Sequence, residues 1–413
     1  MTHHFFLFAE TIVQERLSWI EVILKHYFMR LSPETLRHPL QQKTPIFSFF
    51  ITGDALYSFT DKETLPVWDI IASLPSIRIL CDQEELDLRG ISIENLKLKY
   101  PDLICTRNSY AEDQRISFWD DVIDSIHKQD PLINTIGYLQ IKSPYMYRSG
   151  LNAILCLSSA LNQNLSIEYY AYLDGIHTGH LNQRPSEYKN LGESLINLSH
   201  QASTKKVHCT FLASSRSAIA RGYGTWDDTK GAVISSCMIK PIKIRPLNEI
   251  VDRFYSPHVI FGENIASIGI HKEVPLMETK EGKDQGHPAI IILITNSPYD
   301  TGIPLGALTF ASACAHRGIF TRVLFIEDGV YAVSGVHKVN PNDQFYNIQE
   351  VIDSAAWNEK LQLFVFLPSL NKRGIVKNKK LNAVLEINSP EFAQMLFSIS
   401  GGESAEHQRI LFF

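Results

Sequence analysis

Continuous apolar runs of strand length alternate along this chain with segments of helical periodicity. Ala289 to Ile294 is one such run, and it stops at the turn residues Asn296-Ser297-Pro298. Runs of this kind are typical of strands that are buried on both faces, as in parallel sheets. Leu305 to Arg317 then places apolar residues on one helical face, Gly318 ends the helix, and Thr321 to Ile326 is a second apolar run. The pattern predicts a right-handed β-α-β unit.

Two further segments repeat this order of elements. In the middle of the chain, the predicted strands are Thr135 to Ile141, Ile167 to Leu173, Lys206 to Leu212 and Val259 to Phe261, with a helix over Ser149 to Leu161. Near the start, the predicted strands are His4 to Phe8, Ile46 to Thr52 and Ile77 to Cys81. The last segment adds strands over Leu361 to Leu367 and Gln408 to Phe413.

Three short landmarks recur at nearly constant spacing in the second and third segments. The offsets are 154, 154 and 152 residues (297 − 143, 328 − 174 and 373 − 221). This period is about the size of a compact domain and exceeds the ~20–50 residues of a solenoid repeat. The paired landmarks are Ser143-Pro144-Tyr145 with Ser297-Pro298-Tyr299, Leu173-Asp174-Gly175-Ile176 with Glu327-Asp328-Gly329-Val330, and Arg221-Gly222 with Arg373-Gly374.

The predicted fold class is therefore α/β, with three tandem and similar domains, each a mainly parallel sheet flanked by helices. The expected boundaries are residues 1–133, 134–261 and 287–413. Residues 262–286 contain the polar, pattern-free stretch Met277 to Gly286 and are expected to form a flexible linker.

Composition narrows the classes of function. The 413 residues carry a net charge of −5, which argues against a dedicated nucleic-acid binder. No apolar run approaches the ~18 residues of a membrane span, and the start of the chain does not resemble a signal peptide, so a cytoplasmic protein is expected. Six cysteines occur without CxxC pairs, which fits reduced thiols and gives no zinc motif.

Each repeat offers one recurrent candidate site, the loop between its third strand and the short helix that ends at Arg-Gly. The carboxyl ends of parallel strands hold the ligand crevice, and a helix N-terminus there favours an anion or a thiolate. A cysteine at such a corner can act as a sulfur nucleophile. The three corners carry Cys81, Ser214-Ser215 and Phe366-Leu367-Pro368.

The chain resembles the DsrE family in three features. These are the segment Phe325 to Tyr331, the helices that end at Arg-Gly, and the spacing of strands and helices. Residues 46–125 resemble TusB, with Ile77 to Cys81 running into Glu84 to Gly90, residues 134–261 resemble TusD, and residues 287–413 resemble TusC. TusB, TusD and TusC are sulfur-relay proteins related to DsrH, DsrE and DsrF, so the chain looks like three subunits fused into one.

The resemblance implies a persulfide relay, in which a TusD cysteine passes sulfur onward for 2-thiolation of tRNA or, in relatives, for sulfur oxidation. That cysteine lies eight residues before the glycine of Arg-Gly, and here 222 − 8 gives Ser214. Expected partners are sulfur carriers of the TusA or TusE type. The protein is expected to form a homo-oligomer. No cofactor, no association with a membrane and no direct contact with nucleic acid are expected. The predicted binding residues are the repeated motifs Asp174, Gly175, Arg221, Gly222, Asp328 and Gly329.

The cysteines leave alternatives open. Cys81 is the remaining corner thiol, but Asp82, Glu84 and Glu85 surround it with negative charge, which raises a thiol pKa, so an inert buried cysteine is the competing interpretation. Cys209, Cys156 and Cys314 are predicted to be core residues, and the sequence does not decide the exposure of Cys105 and Cys237.

Two other interpretations remain beside the relay. The first is a binding or scaffold protein that kept the assembly surfaces and lost the thiol chemistry, and the second is a small-molecule-binding α/β protein. His177 and His180 form an HxxH, but they are expected on the surface because no third metal ligand is near.

Overall fold

The computed structural model describes residues 4–30, 46–101, 104–105, 110–111, 114–115, 117–129, 133–255, 259–262, 264–268, 290–340, 342, 346–397 and 409–413. The chain divides into two compact units. The first unit combines residues 1–106 with residues 265–413, and the second comprises residues 107–264.

The first unit is built on one ten-stranded sheet with the order β18-β17-β16-β15-β19-β14-β1-β2-β3-β4. Its strands are β1 His4–Phe8, β2 Phe47–Ile51, β3 Ile77–Cys81, β4 Ile104–Cys105, β14 Asn264–Ile268, β15 Ile290–Ile294, β16 Thr321–Phe325, β17 Leu361–Phe366, β18 Val384–Ile387 and β19 Arg409–Phe412.

The strands of the first and third repeats therefore share this sheet. Strands β1 to β4 pair in parallel, as do β19, β15, β16, β17 and β18, while β14 is antiparallel to β19. Every residue of β1, β2 and β15 is buried, which is the burial that their continuous apolar composition predicts.

Helices cover the faces of this sheet. Helix α1 packs on α13, the last helix within the described residues, through ring pairs that include Trp19 with Phe392, whose centroids lie 5.3 Å apart. The helices of this unit are α1 Gln14–Arg30, α2 Leu65–Ser73, α3 Gln83–Leu88, α4 Ile93–Lys99, α10 Ile303–His316, α11 Ile348–Ala355, α12 Leu367–Lys372 and α13 Ser389–Phe397.

The second unit contains a five-stranded parallel sheet with the order β12-β9-β8-β7-β13 and two short hairpins. Its strands are β5 Tyr110–Ala111, β6 Gln114–Arg115, β7 Thr135–Gln140, β8 Ser166–Ala171, β9 Cys209–Ser214, β10 Thr225–Asp227, β11 Ala232–Ile234, β12 Ile242–Arg245 and β13 Val259–Phe261. Its helices are α5 Phe118–Gln129, α6 Ser149–Asn162, α7 Leu191–Lys205, α8 Ser215–Ala220 and α9 Leu247–Val251.

The second and third repeats have the same topology. Numbered within each repeat, both sheets run 4-3-2-1-5, and the first repeat keeps 4-3-2-1. In all three, a 3-10 turn follows the second strand, at Gly53–Phe59, Leu173–Gly179 and Glu327–Val333.

The structure differs from the sequence expectations in two places. The repeats are distributed over two compact units, because the first and third share a sheet and α5 lies within the second unit. The expected linker over 262–286 includes strand β14, which pairs with β19, while residues 269–286 lie outside the described residues.

Candidate functional site at the strand-to-helix corners

Each repeat turns a corner where its third strand meets a short helix. The residue that caps the helix lies eight positions before the glycine of Arg-Gly in every case, and all three capping residues are at most 9% exposed. Corner 1 is capped by Asp82, corner 2 by Ser214 and corner 3 by Phe366.

An ion pair recurs beside all three corners. In each repeat, the arginine that follows the short helix reaches the aspartate of the 3-10 turn, so the two repeated motifs bind each other. This pairing explains why their spacing recurs along the chain. The contacts are Arg89 Nη2 to Asp54 Oδ1 at 2.7 Å, Arg221 Nε to Asp174 Oδ1 at 2.6 Å, and Arg373 Nη2 to Asp328 Oδ1 at 2.8 Å.

The repeated glycines also have local roles. A Cβ atom on Gly175 would lie 2.1 Å from the carbonyl oxygen of Gln140, and one on Gly329 would lie 1.9 Å from that of Ile294. These glycines therefore let the 3-10 turn pack against the end of the first strand. Gly222 has a φ of +73° just after α8, in the left-handed region that ends helices. A ligand-binding role for these motif residues stays a prediction.

Hydrogen bonds at corner 2 connect the ends of two neighbouring strands. Ser214 is fully buried, and its Oγ accepts the backbone N–H of Ser217 at 3.5 Å. The hydroxyl oxygen of Ser217 accepts the N–H of Leu173 at 3.0 Å, and Leu173 has a φ of +48°. Ser214, which the resemblance aligns with the cysteine of the family, thus lies at a strand-to-helix corner and carries a hydroxyl instead of a thiol.

Corner 1 separates Cys81 from the capping position. Cys81 is the last residue of β3, is 2% exposed, and lies in the hydrophobic core of the first unit. Successive residues of a strand point to opposite faces, so Asp82 rather than Cys81 is the counterpart of Ser214. The predicted sulfur-carrying role of Cys81 is untested, and its burial favours the competing interpretation of an inert core thiol.

Asp82 has an unusual environment for a carboxylate. Burial raises its pKa to about 6, and the negative charges of Glu85 and Glu84 add to the rise, whereas the hydrogen bond from Thr52 opposes it. Thr52 Oγ1 donates to Asp82 Oδ2 at 2.7 Å, and Asp82 Oδ1 accepts the N–H of Glu85 at 3.3 Å. Corner 1 is therefore capped by a buried carboxyl group and not by a thiol.

Corner 3 is covered by helix α1 from the first repeat. Glu15 accepts from Ser369 Oγ at 2.7 Å and pairs with Arg373 at 2.8 Å. Arg16 makes a bidentate pair with the buried Glu327, at 2.9 and 2.7 Å. This corner is therefore an internal contact of the first unit.

Corner 2 has a different neighbourhood, which the sequence analysis missed. The hydroxyl of Tyr223 lies 2.6 Å from His177 Nδ1, and the thiol of Cys237 donates to the backbone carbonyl of Tyr223 at 3.6 Å. The HxxH histidines are only partly exposed, and both rings contact the ring of Tyr223. The His177 ring meets it edge-on at a centroid distance of 5.3 Å, and the His180 ring is tilted against it at 5.6 Å.

The sequence feature that could have revealed this neighbourhood is the length of the connection between Arg-Gly and the fourth strand. The distance along the chain from the arginine of Arg-Gly to the fourth strand is 21 residues in the second repeat (242 − 221) and 11 residues in the third (384 − 373). The extra residues form the β10–β11 hairpin and carry Cys237.

The other described cysteines are buried or half-buried. Cys156 and Cys314 are fully buried, as predicted, and burial raises the pKa of Cys156 well above its ordinary value. Cys209 was predicted to be a core residue, but it is half-buried on β9, and burial raises its pKa to about 11. The side chain of Cys105 lies outside the described residues.

The fold and its corners define a class of α/β protein made of repeated parallel sheets with a paired aspartate and arginine at each corner. Residues 289–400 match the model of the DsrE/DsrF-like family, and for this segment the match indicates a sulfur-relay-type function at the level of the family. No curated protein matches the chain. Within the described residues, no group of three or more His, Cys, Asp or Glu side chains could hold a metal ion, and no helix could span a membrane.

Proposed function

We propose that this protein is a DsrE-type sulfur-relay protein that transfers persulfide sulfur toward tRNA 2-thiouridine synthesis or related sulfur trafficking. One observation carries the proposal. The second unit repeats the strand order and the aspartate–arginine pair of the segment that matches the DsrE/DsrF-like family. Under this proposal, the three repeats correspond to TusB-like, TusD-like and TusC-like subunits in one chain.

The proposed partners follow from the same resemblance. They are sulfur-carrier proteins of the TusA or TusE type, which would donate and receive sulfur at the second unit in the cytoplasm. The proposal includes a homo-oligomer, since symmetric pairing is common among such folds. It requires no cofactor, because transfer of sulfur between thiols needs no external oxidant.

A second candidate is a binding or scaffold protein that kept the assembly surfaces of the fold. The specific observation in its favour is the chemistry of the three corners, whose capping residues are Asp82, Ser214 and Phe366. A carboxylate, a hydroxyl and a phenyl ring cannot carry a persulfide.

Replacement of Ser214 by cysteine tests whether corner 2 can accept sulfur when it carries a thiol. We expect Ser214→Cys to accept sulfur at residue 214 although this position is fully buried, because the corner, unlike the hydrophobic core around Cys81, places the N–H of Ser217 where it stabilises a thiolate and lowers its pKa. The measurement is the mass gain of one sulfur on the peptide that contains residue 214, after incubation with a desulfurase-charged carrier protein.

Ser215→Cys is the matched control, because Ser215 is the adjacent residue and lies within α8 instead of capping it. Sulfur on the Ser215→Cys thiol but not on the Ser214→Cys thiol would contradict the assignment of the corner. If no cysteine of the unmodified chain takes up sulfur, the scaffold function replaces the relay.

A further inference from the structure

Helix α6 begins where the sheet of the second unit changes direction. From β7 the chain moves one way, through β8 and β9 to β12, and it then returns to β13 on the other side of β7. Open α/β sheets bind their ligands at the carboxyl ends of the strands, at such a change of direction. Helix α6 follows β7 along the chain and begins at Ser149, so its first turn lies at this position of the fold.

The start of α6 has no side-chain cap. Arg148 occupies the N-cap position with a φ of −73° and a ψ of −3°, and its side chain makes no capping hydrogen bond. In contrast, Asn190 and Ser214 cap the two following helices of this unit with their side chains. The first N–H groups of an α-helix have no partner within the helix, and together with the helix dipole they attract anions.

Two buried side chains in this turn lack a hydrogen-bond partner. Ser149 is 5% exposed and Asn152 is 3% exposed, and neither the hydroxyl of Ser149 nor the amide nitrogen of Asn152 has a partner among the described residues. Buried polar groups are nearly always paired, because leaving them unpaired destabilises the fold. Residues three positions apart share a helix face, and helical side chains lean toward the N-terminus, so both groups point toward the uncapped end.

The third repeat indicates that the fold does not require these polar groups. Its equivalent helix, α10, also begins without a side-chain cap. The offset of 154 residues between the repeats places Ile303 at the position of Ser149 and Gly306 at that of Asn152 (149 + 154 and 152 + 154). The two buried polar groups are therefore specific to the second repeat, which favours a role in binding over a role in folding.

We propose that the first turn of α6 binds a phosphate group, with the hydroxyl of Ser149, the amide of Asn152 and the first N–H groups of the helix as donors. A tetrahedral oxyanion fits this set of groups, because all of them donate and each phosphate oxygen accepts. Residues 141–152 also contain two cations, Lys142 and Arg148, and no carboxylate. The inference does not depend on the sulfur relay.

The connection that leads into α6 lies at the surface. Residues 141–148 contain no helix or strand, and the side chains of Met146 and Tyr147 are 78% and 49% exposed. The buried donors thus follow an exposed segment directly along the chain. We expect phosphate to reach them by displacing exposed side chains of this connection, with the strands of the sheet left in place.

Equilibrium dialysis of the full-length protein against radiolabelled inorganic phosphate, with chloride in excess, tests the site. We expect one phosphate per chain. Ser149→Ala and Asn152→Leu should each weaken binding at least about tenfold, because each removes a hydrogen bond to a charged ligand. Ser159→Ala is the matched control and should leave the affinity unchanged, since Ser159 is buried in the same helix but its hydroxyl already donates to Asp120.

Competition with adenosine monophosphate distinguishes two sources of the phosphate group. Displacement of the label at a lower concentration than inorganic phosphate requires would show that the site holds the phosphate of a larger ligand. Failure to displace it would show a site for the free ion. Either result supports the proposed chemistry of the first turn.

Hydrogen–deuterium exchange of the unmodified chain provides a measurement that does not depend on how well a variant folds. Phosphate should slow exchange in residues 142–153 and leave the equivalent residues of the third repeat, 296–307, unchanged. Three results would overturn the inference: no binding above the chloride background, unchanged affinity in Ser149→Ala and Asn152→Leu, or protection confined to other residues. An internal water molecule would then account for the two buried groups. None of these results bears on the relay.

Discussion

Asp82 shows how one repeated position changes chemistry between repeats. It caps α3 in the first repeat, where Ser214 caps α8 in the second, and burial raises its pKa to about 6. In the unfolded chain an aspartate ionises near pH 4. Asp82 therefore binds its proton more tightly in the folded state, and ionising it above pH 6 costs stability.

We expect the free energy of unfolding to fall as the pH rises from about 4 to about 6, because the folded chain holds the proton of Asp82 that the unfolded chain has released. Asp82→Asn should remove this loss. The variant should match the unmodified protein below about pH 4 and exceed it by on the order of 2 kcal/mol above about pH 6. Urea denaturation across this pH range measures the difference.

The control for Asp82 is an exposed carboxylate on the same helix. Asp87→Asn should leave the pH dependence unchanged, since Asp87 is exposed to solvent. A parallel stability profile for Asp82→Asn and the unmodified chain would show that Asp82 ionises normally, and the account of its burial would then fail.

The sequence predicted corner 1 to within one residue, and that residue decides the chemistry. The run Ile77 to Cys81 correctly marks strand β3. Four of its five residues are buried, so the run has no alternation that would show which side chains point into the core. Cys81 therefore could not be told apart from the capping position without the three-dimensional structure.

At the scale of elements, the docking of helix α1 on the third repeat depends on a buried ion pair. The side chains of Arg16 and Glu327 are 9% and 7% exposed, and Trp19 Nε1 also donates to Glu327 at 3.0 Å. Removing one partner of a buried pair leaves an uncompensated charge, whereas neutralising both removes that cost.

We expect Arg16→Met to destabilise the protein by about 3–5 kcal/mol, because Glu327 is left buried without its cation. Adding Glu327→Gln should restore at least about 2 kcal/mol, since the amide is neutral and still accepts from Trp19. Urea denaturation of the single and double variants gives the coupling energy.

The exposed pair of the second unit is the control for this cycle. The carboxylate of Asp174 is 55% exposed, so the pair of Arg221→Met and Asp174→Asn should show a coupling below about 1 kcal/mol. Equal coupling in the two cycles would mean that burial does not strengthen the contact of Arg16 with Glu327.

Element boundaries were more predictable than the contacts between elements. The strands Val259–Phe261 and His4–Phe8 have the predicted limits, because continuous apolar runs fix where a buried strand lies. The coverage of corner 3 by α1 was not predicted, since Glu15 and Glu327 are 312 residues apart (327 − 15) and only the folded chain brings them to one place. The Tyr223–Cys237 neighbourhood was missed for a related reason, because its hairpin interrupts the repeat pattern.

At the scale of the molecule, three sequence repeats form two compact units. The first and third repeats share a sheet in which β14 and β19 separate β15 from β1, and α1 packs on α13. The second repeat has its own five-stranded sheet and its own helices. Repeats that are similar in sequence therefore differ in how far they can fold independently.

This division predicts how fragments of the chain behave. Residues 107–264 contain a complete sheet with its helices, so this fragment should fold alone and unfold cooperatively. Residues 1–106 end the shared sheet at β1, which would leave an unpaired apolar edge, and they also lack the partners of Arg16 and Glu15. An edge of this kind promotes aggregation.

We therefore expect residues 1–106 expressed alone to be unfolded or aggregated, and residues 1–106 co-expressed with residues 265–413 to form a stable 1:1 complex. Size-exclusion chromatography and circular dichroism of each fragment and of the pair provide the measurement. Residues 107–264 serve as the control for expression and handling. If residues 1–106 alone are monomeric and unfold cooperatively, each repeat is an independent domain and the shared sheet is not required for folding.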